Sequence, residues 1–401
     1  MKKKKLLILT DNYLPRRDGI VRFLVEVIPR LKNNFEISIF CPDGETSYDL
    51  NSLENDSLKN VNILKIPLSK RSVGDFTIPK FKPFKIFKEV SKADIIFSQT
   101  LGPIGATGLF FAQRLRKRTV SYIHSIDWEL VSKVLSKSIF RKQSTNLAKF
   151  VTKFIYSRNT FLIVPSENIA ELFTWATIKT PRVVINLGTD TGVFKPLDDS
   201  VREERRTKLG FSKNDVVIGY HGRIAKEKNI ETLLRAFIKL RHKHKNVKLF
   251  IIGSGLKKLE KKLSNQEGVK YLRAIDNVEH FLPLMDIYCL PSLTETTSLS
   301  VLEAMSCQLP VVSTPVGFVM DYITPLKTGL FFKKKDSFAL MNVFEELLAK
   351  PDLRKTLGKN ARRMVIEKFN WDVTSKKLID LFNNIELNLH EMSDDLSKIK
   401  K

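Results

Sequence analysis

Two doubly wound α/β domains in tandem are the architecture that this sequence predicts, and three observations carry the expectation. The chain has 401 residues, more than one ordinary hydrophobic core accommodates. Short apolar runs alternate with longer amphipathic stretches in both halves, the pattern of parallel sheets with helical crossovers. The alternation breaks once, between positions 194 and 204, where Pro196, Asp198, Asp199 and a run of charged side chains interrupt it.

The opening MKKKKLLILTDNY imitates a secretory leader, but its apolar stretch stops at Leu9, before Thr10 and Asp11, so 5–9 reads as a first buried strand. A loop over 10–19 leads to a helix over 20–31, in which Pro29 predicts a kink or an early end. Further strands are expected at 36–40, 61–66, 95–98, 119–123, 161–165 and 182–185. In the second half, 216–220 is a strand and 230–242 a helix, followed by strands at 247–252, 269–272, 287–290 and 311–313.

Composition is that of a folded protein, 43% hydrophobic, and no apolar run approaches the roughly 18 residues that span a bilayer. The three cysteines, Cys41, Cys289 and Cys307, are scattered and lack metal-like spacing, which suits a reducing cytosol and argues against disulfides and zinc. The net charge of +25 attracts polyanions or anionic membranes, although 47 Lys against 21 Arg also describes a Lys-rich composition. Its distribution says more. Positions 130–166 contain Lys133, Lys137, Arg141, Lys142, Lys149, Lys153 and Arg158 with no acidic residue, interleaved with Val131, Leu135, Ile139, Leu147, Val151, Phe154 and Ile155 at mostly helical spacing. Basic amphipathic helices of this type lie at membrane interfaces; a helix packing its apolar face on its own domain reads similarly. The basic-aromatic stretch 76–92 points the same way. Nucleic acid is not the expected partner, because the chain has neither a compact basic recognition module nor an exposed-aromatic RNA surface in its pattern.

The most informative segment is PSLTETTSLSVLEAMSCQLP, positions 291–310. Pro291 and Ser292 stop a strand, and Leu299, Leu302 and Met305 then recur at helical spacing, so Glu295 falls in a strand-to-helix loop and Glu303 about one turn into the helix. Ligands of open α/β sheets bind beyond the carboxyl ends of the strands, where helix N-termini attract anions. Two carboxylates there suit a ligand bearing hydroxyls beside phosphates. The competing reading is a capping box, Ser300-x-x-Glu303. Upstream, Arg223 and Lys228 lie in another loop leaving a strand and can reach one phosphate pair, as a planar fork and a mobile point charge; alone they read equally as solvated cations. Gly253-Ser254-Gly255 is a tight strand–helix turn rather than a dinucleotide fingerprint, since Lys258 stands where a third Gly belongs. Gly19, in Asp18-Gly19-Ile20, permits close backbone approach to a ligand. His124 ends an apolar strand ahead of Asp127 and Glu129 and is a site candidate, with a structural role as the alternative.

In order, these pieces resemble the GT-B glycosyltransferases of the large retaining family GT4. The matches are Gly19, His124, Asn186-Leu-Gly-Thr-Asp190 with Phe194-Lys-Pro196, Gly222-Arg223 with Lys228, Gly253-x-Gly255, the Glu295/Glu303 pair, and the aromatic turn Phe369-Asn370-Trp371-Asp372. The resemblance spans 5–385. It implies a Rossmann-like acceptor domain at 1–195, a nucleotide-sugar domain at 196–368 and a helix at 369–390 crossing back to the first domain, with the two domains facing across a cleft. Position by position, it implies that Arg223 and Lys228 would bind the diphosphate of a UDP- or GDP-sugar, assisted by amides around Ser298 and Leu299. Glu303 would take the ribose hydroxyls, Glu295 the transferred sugar, and the Arg273–Ala274 loop the base. His124 would lie beside the sugar, and Gly19 would let the first loop close on donor and acceptor. The family retains anomeric configuration and works without a cofactor or bound metal. Two positions depart from its pattern, Ser298 and Gln308 standing where Gly is usual. Thr294-Glu295-Thr296 together with the basic stretch looks most like the members that glycosylate membrane lipids such as diacylglycerol, implying a peripheral protein on the cytoplasmic face of the membrane. A soluble enzyme building polysaccharide or small glycosides is the other expectation.

Overall fold

A computed structural model describes residues 2–14, 19–44, 58, 60–73, 76–126, 128, 141–273, 275, 277–295 and 297–386. The chain divides into two compact units, one of residues 1–186 and 374–401, the other of 187–373. The division at 186/187 precedes the 195/196 junction expected from the charged break. Residues just after it already belong to the second unit, where a Cβ on Gly188 would lie 2.4 Å from the Asn370 backbone and Thr189 N bonds Phe369 O.

Unit 1 runs β1 (Lys4–Leu9), α1 (Gly19–Leu31), β2 (Phe35–Asp43), β3 (Asn62–Val73), β4 (Phe76–Pro79), α2 (Pro83–Lys92), β5 (Ile95–Ser98), α3 (Pro103–Arg114), β6 (Arg118–Tyr122), α4 (Arg141–Tyr156), β7 (Phe161–Val164), α5 (Glu167–Trp175) and β8 (Arg182–Val184). The sheet order is β4-β3-β2-β1-β5-β6-β7-β8. All pairings are parallel except β3 with β4. Strands such as LLIL and FLIV are apolar without alternation because helices cover both faces of such a sheet. Pro29 does not break α1, which ends two residues later at Leu31. The stretch 76–92 proves to be the short edge strand β4 followed by α2, whose first turn Pro83 opens, where its missing N–H costs nothing.

Unit 2 continues with α6 (Asp199–Lys208), β9 (Val216–His221), α7 (Ile230–Lys243), β10 (Val247–Ile252), α8 (Lys257–Ser264), β11 (Val269–Leu272), β12 (Ile287–Leu290), α9 (Leu299–Ser306), β13 (Val311–Ser313), α10 (Val319–Tyr322), β14 (Gly329–Phe331), α11 (Ser337–Ala349) and α12 (Pro351–Lys368). Its parallel sheet has the order β11-β10-β9-β12-β13-β14. Asp286, at the entry to β12, accepts from Arg202 (2.7 Å), Arg206 (2.9 Å) and the Val217 amide (2.8 Å), so one carboxylate fastens α6, β9 and β12 together. Burial works against its charge, but the two guanidinium groups and the amide outweigh burial and hold the carboxyl below its ordinary range. The last helix, α13 (Trp371–Asn383), begins in unit 2 and ends in unit 1. There Phe382 packs edge-on against Phe35 and Phe97, and Lys4 Nζ donates to the Asn383 carbonyl at 2.9 Å.

Candidate active site

The order of the unit 2 sheet reverses between β9 and β12, which are neighbours in space but separated in sequence by β10 and β11. Connections leave those two strands toward opposite sides, opening a crevice at their carboxyl ends. After β9 the chain turns at Gly222 (φ 137°) and passes through a 3-10 turn, Lys226–Lys228, to Asn229 in the left-handed region (φ 51°). Asn229 Nδ2 donates to the Pro291 carbonyl at 3.1 Å and the Leu293 amide to the Glu227 carbonyl at 2.8 Å, which ties the two loops to each other. The Gly253-Ser254-Gly255 turn buttresses the first of them. A Cβ on Gly253 would sit 1.9 Å from Gly222 O, and one on Gly255 2.1 Å from Ile224 O, so only glycine fits where these backbones meet.

The second loop holds Glu295 almost fully buried. Lys228 Nζ donates to both carboxylate oxygens, at 2.7 and 2.9 Å, and the Ser292 hydroxyl adds a bond of 2.5 Å. The Lys228 side chain is 18% exposed and that of Glu295 6%. Charges this dry need their partners, and an incoming phosphate beside Lys228 would compete for a cation already in place.

Glu303 lies on α9, one turn in, and its Oε2 accepts from His221 Nε2 at 2.8 Å. The capping-box reading of Ser300 and Glu303 is not what the geometry gives. Ser298, not Ser300, precedes the helix; Ser300 Oγ meets Ser298 Oγ at 2.9 Å, and the glutamate is engaged by the imidazole instead of reaching back to the cap. His221 is in turn held by Tyr288, whose hydroxyl donates to the His221 carbonyl at 3.2 Å and whose ring lies 5.4 Å from the imidazole. Ser298 is buried, and with Leu299 it forms the start of α9.

The structure therefore gathers Lys228, Glu295, Ser298, Leu299 and Glu303 where β9 and β12 end. Arg223 starts from the same loop but is 72% exposed and paired with Glu227 at 2.8 Å. Arg273 follows β11, two strands from β9, and is exposed; Ala274 and Thr296 lie outside the described residues. Gly19 and His124 belong to unit 1. Gly19 opens α1, and a Cβ built there meets nothing within 4 Å. His124 is buried after β6, stacked on Tyr122 at 4.5 Å with Phe23 edge-on at 5.1 Å, and its Nε2 donates to Gln99 Oε1 at 2.9 Å. Burial lowers its pKa to about 3, so the ring is uncharged at neutral pH.

Sequence reasoning passed over His221, Ser292, Gln99 and Asp11. His221 ends the strand VVIGYH just as His124 follows an apolar strand, so the same signal was there to find it. Gln99, buried at the end of β5, has an amide nitrogen without a partner among the described residues. Asp11, buried after β1, accepts from Thr100 Oγ1 (2.5 Å) and the Ile104 amide (2.8 Å), capping α3 from another strand. Burial dominates those bonds and raises its pKa. Among the described residues, no group of three or more His, Cys, Asp or Glu is placed to hold a metal ion.

Comparison with known proteins identifies the family and the fold. The family model "Glycosyl transferases group 1" matches residues 201–364, and the model "Glycosyltransferase Family 4" matches residues 17–193. The chain is 27% identical to the capsular polysaccharide biosynthesis glycosyltransferase CapM of Staphylococcus aureus, over 96% of this chain and 98% of that one. It is 24% identical to the alpha-monoglucosyldiacylglycerol synthase of Acholeplasma laidlawii, over 88% of this chain and 90% of that one. Its fold matches the crystal structure of Anabaena HepE in complex with UDP, with a TM-score of 0.77 at 17% identity, covering 96% of this chain and all of the other. The architecture is thus that of the GT-B glycosyltransferases, a parallel-sheet domain twice over.

Proposed function

The chain belongs to the glycosyltransferases of group 1 and family 4, and from that premise we propose that it moves a hexose from a UDP- or GDP-sugar to a membrane lipid or lipid-linked acceptor, at the cytoplasmic face of the membrane and without a metal. Lys228 exchanges Glu295 for the donor diphosphate, Arg223 swings from Glu227 to the same group, and the amides at Ser298 and Leu299 complete the anion site. Glu295, still held by Ser292, then offers carboxylate oxygen to the transferred sugar. Glu303 takes the ribose and Arg273 borders the base. His124 and Gly19, both in unit 1, keep the roles that the family resemblance implies for them, beside the sugar and in the first strand–helix loop, and a neutral imidazole adds no positive charge beside an oxocarbenium-like centre.

The observation that carries the lipid acceptor is an apolar face of unit 1 that remains exposed. Helices α2, α3 and α4 lie side by side, joined by the Phe87–Phe111 ring contact at 5.3 Å and by Gln113 Nε2 donating to the Ile155 carbonyl at 3.1 Å. On them Phe84 is 88% and Phe150 67% exposed, with Phe110, Leu147 and Phe154 also open to solvent. Lys85, Lys88, Lys149 and Lys153 are exposed among them. Lys153 reaches the Thr177 hydroxyl beside Trp175, a tryptophan 85% exposed. Burying each such aromatic in a bilayer interface is worth about 1.5–3 kcal/mol, and each lysine near an anionic surface about 1 kcal/mol. No described helix is long and apolar enough to cross a membrane. The diacylglycerol relative supports this reading. A soluble enzyme building polysaccharide is the second reading, favoured by the similarity to the capsular enzyme.

Flotation tests the attachment. With phosphatidylglycerol-containing vesicles the protein should rise with the lipid, less so with phosphatidylcholine alone or after Phe84→Ser and Phe150→Ser. A protein that stays entirely in the aqueous fraction with anionic vesicles contradicts it.

A further inference from the structure

We propose that His221 is a positioning residue that makes Glu303 a reader of the donor's ribose, so that this chain distinguishes ribonucleotide from deoxyribonucleotide donors through a His221–Glu303 dyad. The proposal rests on the assignment of Glu303 to the ribose hydroxyls and adds a residue which that assignment does not contain. A carboxylate only accepts hydrogen bonds, so the 2.8 Å contact places a proton on His221 Nε2 and uses one of the lone pairs on Glu303 Oε2. Among the described residues the other oxygen has no hydrogen-bond partner, which leaves it for a ligand. A glutamate has three side-chain torsions, and an unfastened one would lose that freedom on binding. Here both partners are largely enclosed, the imidazole 9% and the carboxylate side chain 15% exposed.

The imidazole is itself fixed. Tyr288, fully buried on the neighbouring strand, bonds the His221 carbonyl and lies 5.4 Å from the ring. The strand-end imidazole and the helix-borne carboxylate are thus joined directly, and Tyr288 holds the histidine through its carbonyl and its ring. The remaining ring nitrogen, His221 Nδ1, is buried with no hydrogen-bond partner among the described residues. No described residue bonds that end of the ring, whereas the Nε2 end is committed to Glu303. Groups that orient a ligand-binding side chain in this manner change affinity by about 10–100-fold when removed, on the precedent of outer partners at metal sites.

Calorimetric binding of UDP and GDP, each beside its 2′-deoxy and 3′-deoxy counterpart, tests the dyad. The wild-type chain should bind at least one ribonucleotide about tenfold or more tightly than a deoxy counterpart. In His221→Phe, which keeps an aromatic ring against Tyr288 but has no Nε2–H, that ratio should fall to within about threefold, through weaker ribonucleotide binding alone. His221→Gln, whose amide can donate, should restore part of the ratio. A general structural loss would weaken ribo and deoxy forms alike and would overturn the proposal. So would a full ribose preference in His221→Phe or, should that variant not fold, in His221→Gln and His221→Leu equally. Glu303→Gln separates the two layers. If it loses the preference while His221→Phe keeps it, the dyad falls and the ribose assignment stands; if Glu303→Gln keeps it, the ribose assignment itself falls.

Discussion

At the scale of single residues, the two glutamates differ in their partners. Glu295 is neutralised by Lys228 and held by Ser292, whereas Glu303 is held by an imidazole. Glu295→Gln retains the shape and the serine contact but cannot pair with Lys228, and should lower sugar transfer about 100-fold, the scale of losing one electrostatic contact to a reacting centre. Circular dichroism should show the fold intact; full activity would remove Glu295 from the reaction. His124 makes a different prediction, because its folded pKa of about 3 lies below the ordinary 6.5. The unfolded chain therefore binds this proton more readily. The stability the neutral ring contributes is complete above pH 6.5 and is lost as pH falls toward 3, at up to about 1.4 kcal/mol per pH unit. His124→Phe, in the same Phe23 and Tyr122 pocket, should flatten the acid limb of a melting-temperature profile relative to wild type. An unchanged slope would contradict the buried neutral ring. Gln308 shows what one substitution in a family pattern costs: it closes α9 at φ 64°, a conformation that glycine adopts without the roughly 1–2 kcal/mol penalty of a side chain.

At the scale of elements, the strands that sequence made plain are those with near-continuous apolar runs, such as β10 and β12, because parallel strands covered on both faces leave nothing to alternate. β4 and β14 were not legible. They are four and three residues long, lie at sheet edges, and their pairing is decided by neighbours rather than by their own pattern. The Glu295/Glu303 block was legible because its spacing is local. The dyad was not, since His221 and Glu303 stand 82 positions apart and meet only through the β9–β12 reversal. Asp286 holds that reversal at its other end. Its depressed folded pKa means that its contribution is present above the ordinary carboxylate pKa and is lost as pH falls through the folded value. Asp286→Asn should cost about 2–3 kcal/mol at neutral pH in denaturant titration, the scale of charged hydrogen bonds lost, with a smaller difference from wild type in acid. Equal stability at neutral pH would show that the clamp is not needed.

At the scale of the whole molecule, a net charge of +25 is a statement about partners rather than fold. The Lys228, Glu295 and Glu303 cluster sits where sheet order alone would place a ligand, in unit 2; the exposed aromatic and lysine side chains sit on the helices of unit 1. With that division of labour the sugar should go to a lipid. The most direct measurement incubates the purified protein with membrane extract and a panel of radiolabelled UDP- and GDP-sugars, then separates lipid from water. Label from one donor should enter the lipid phase, and Glu295→Gln should reduce it about 100-fold. Label appearing only in water-soluble polysaccharide or small glycosides would contradict it.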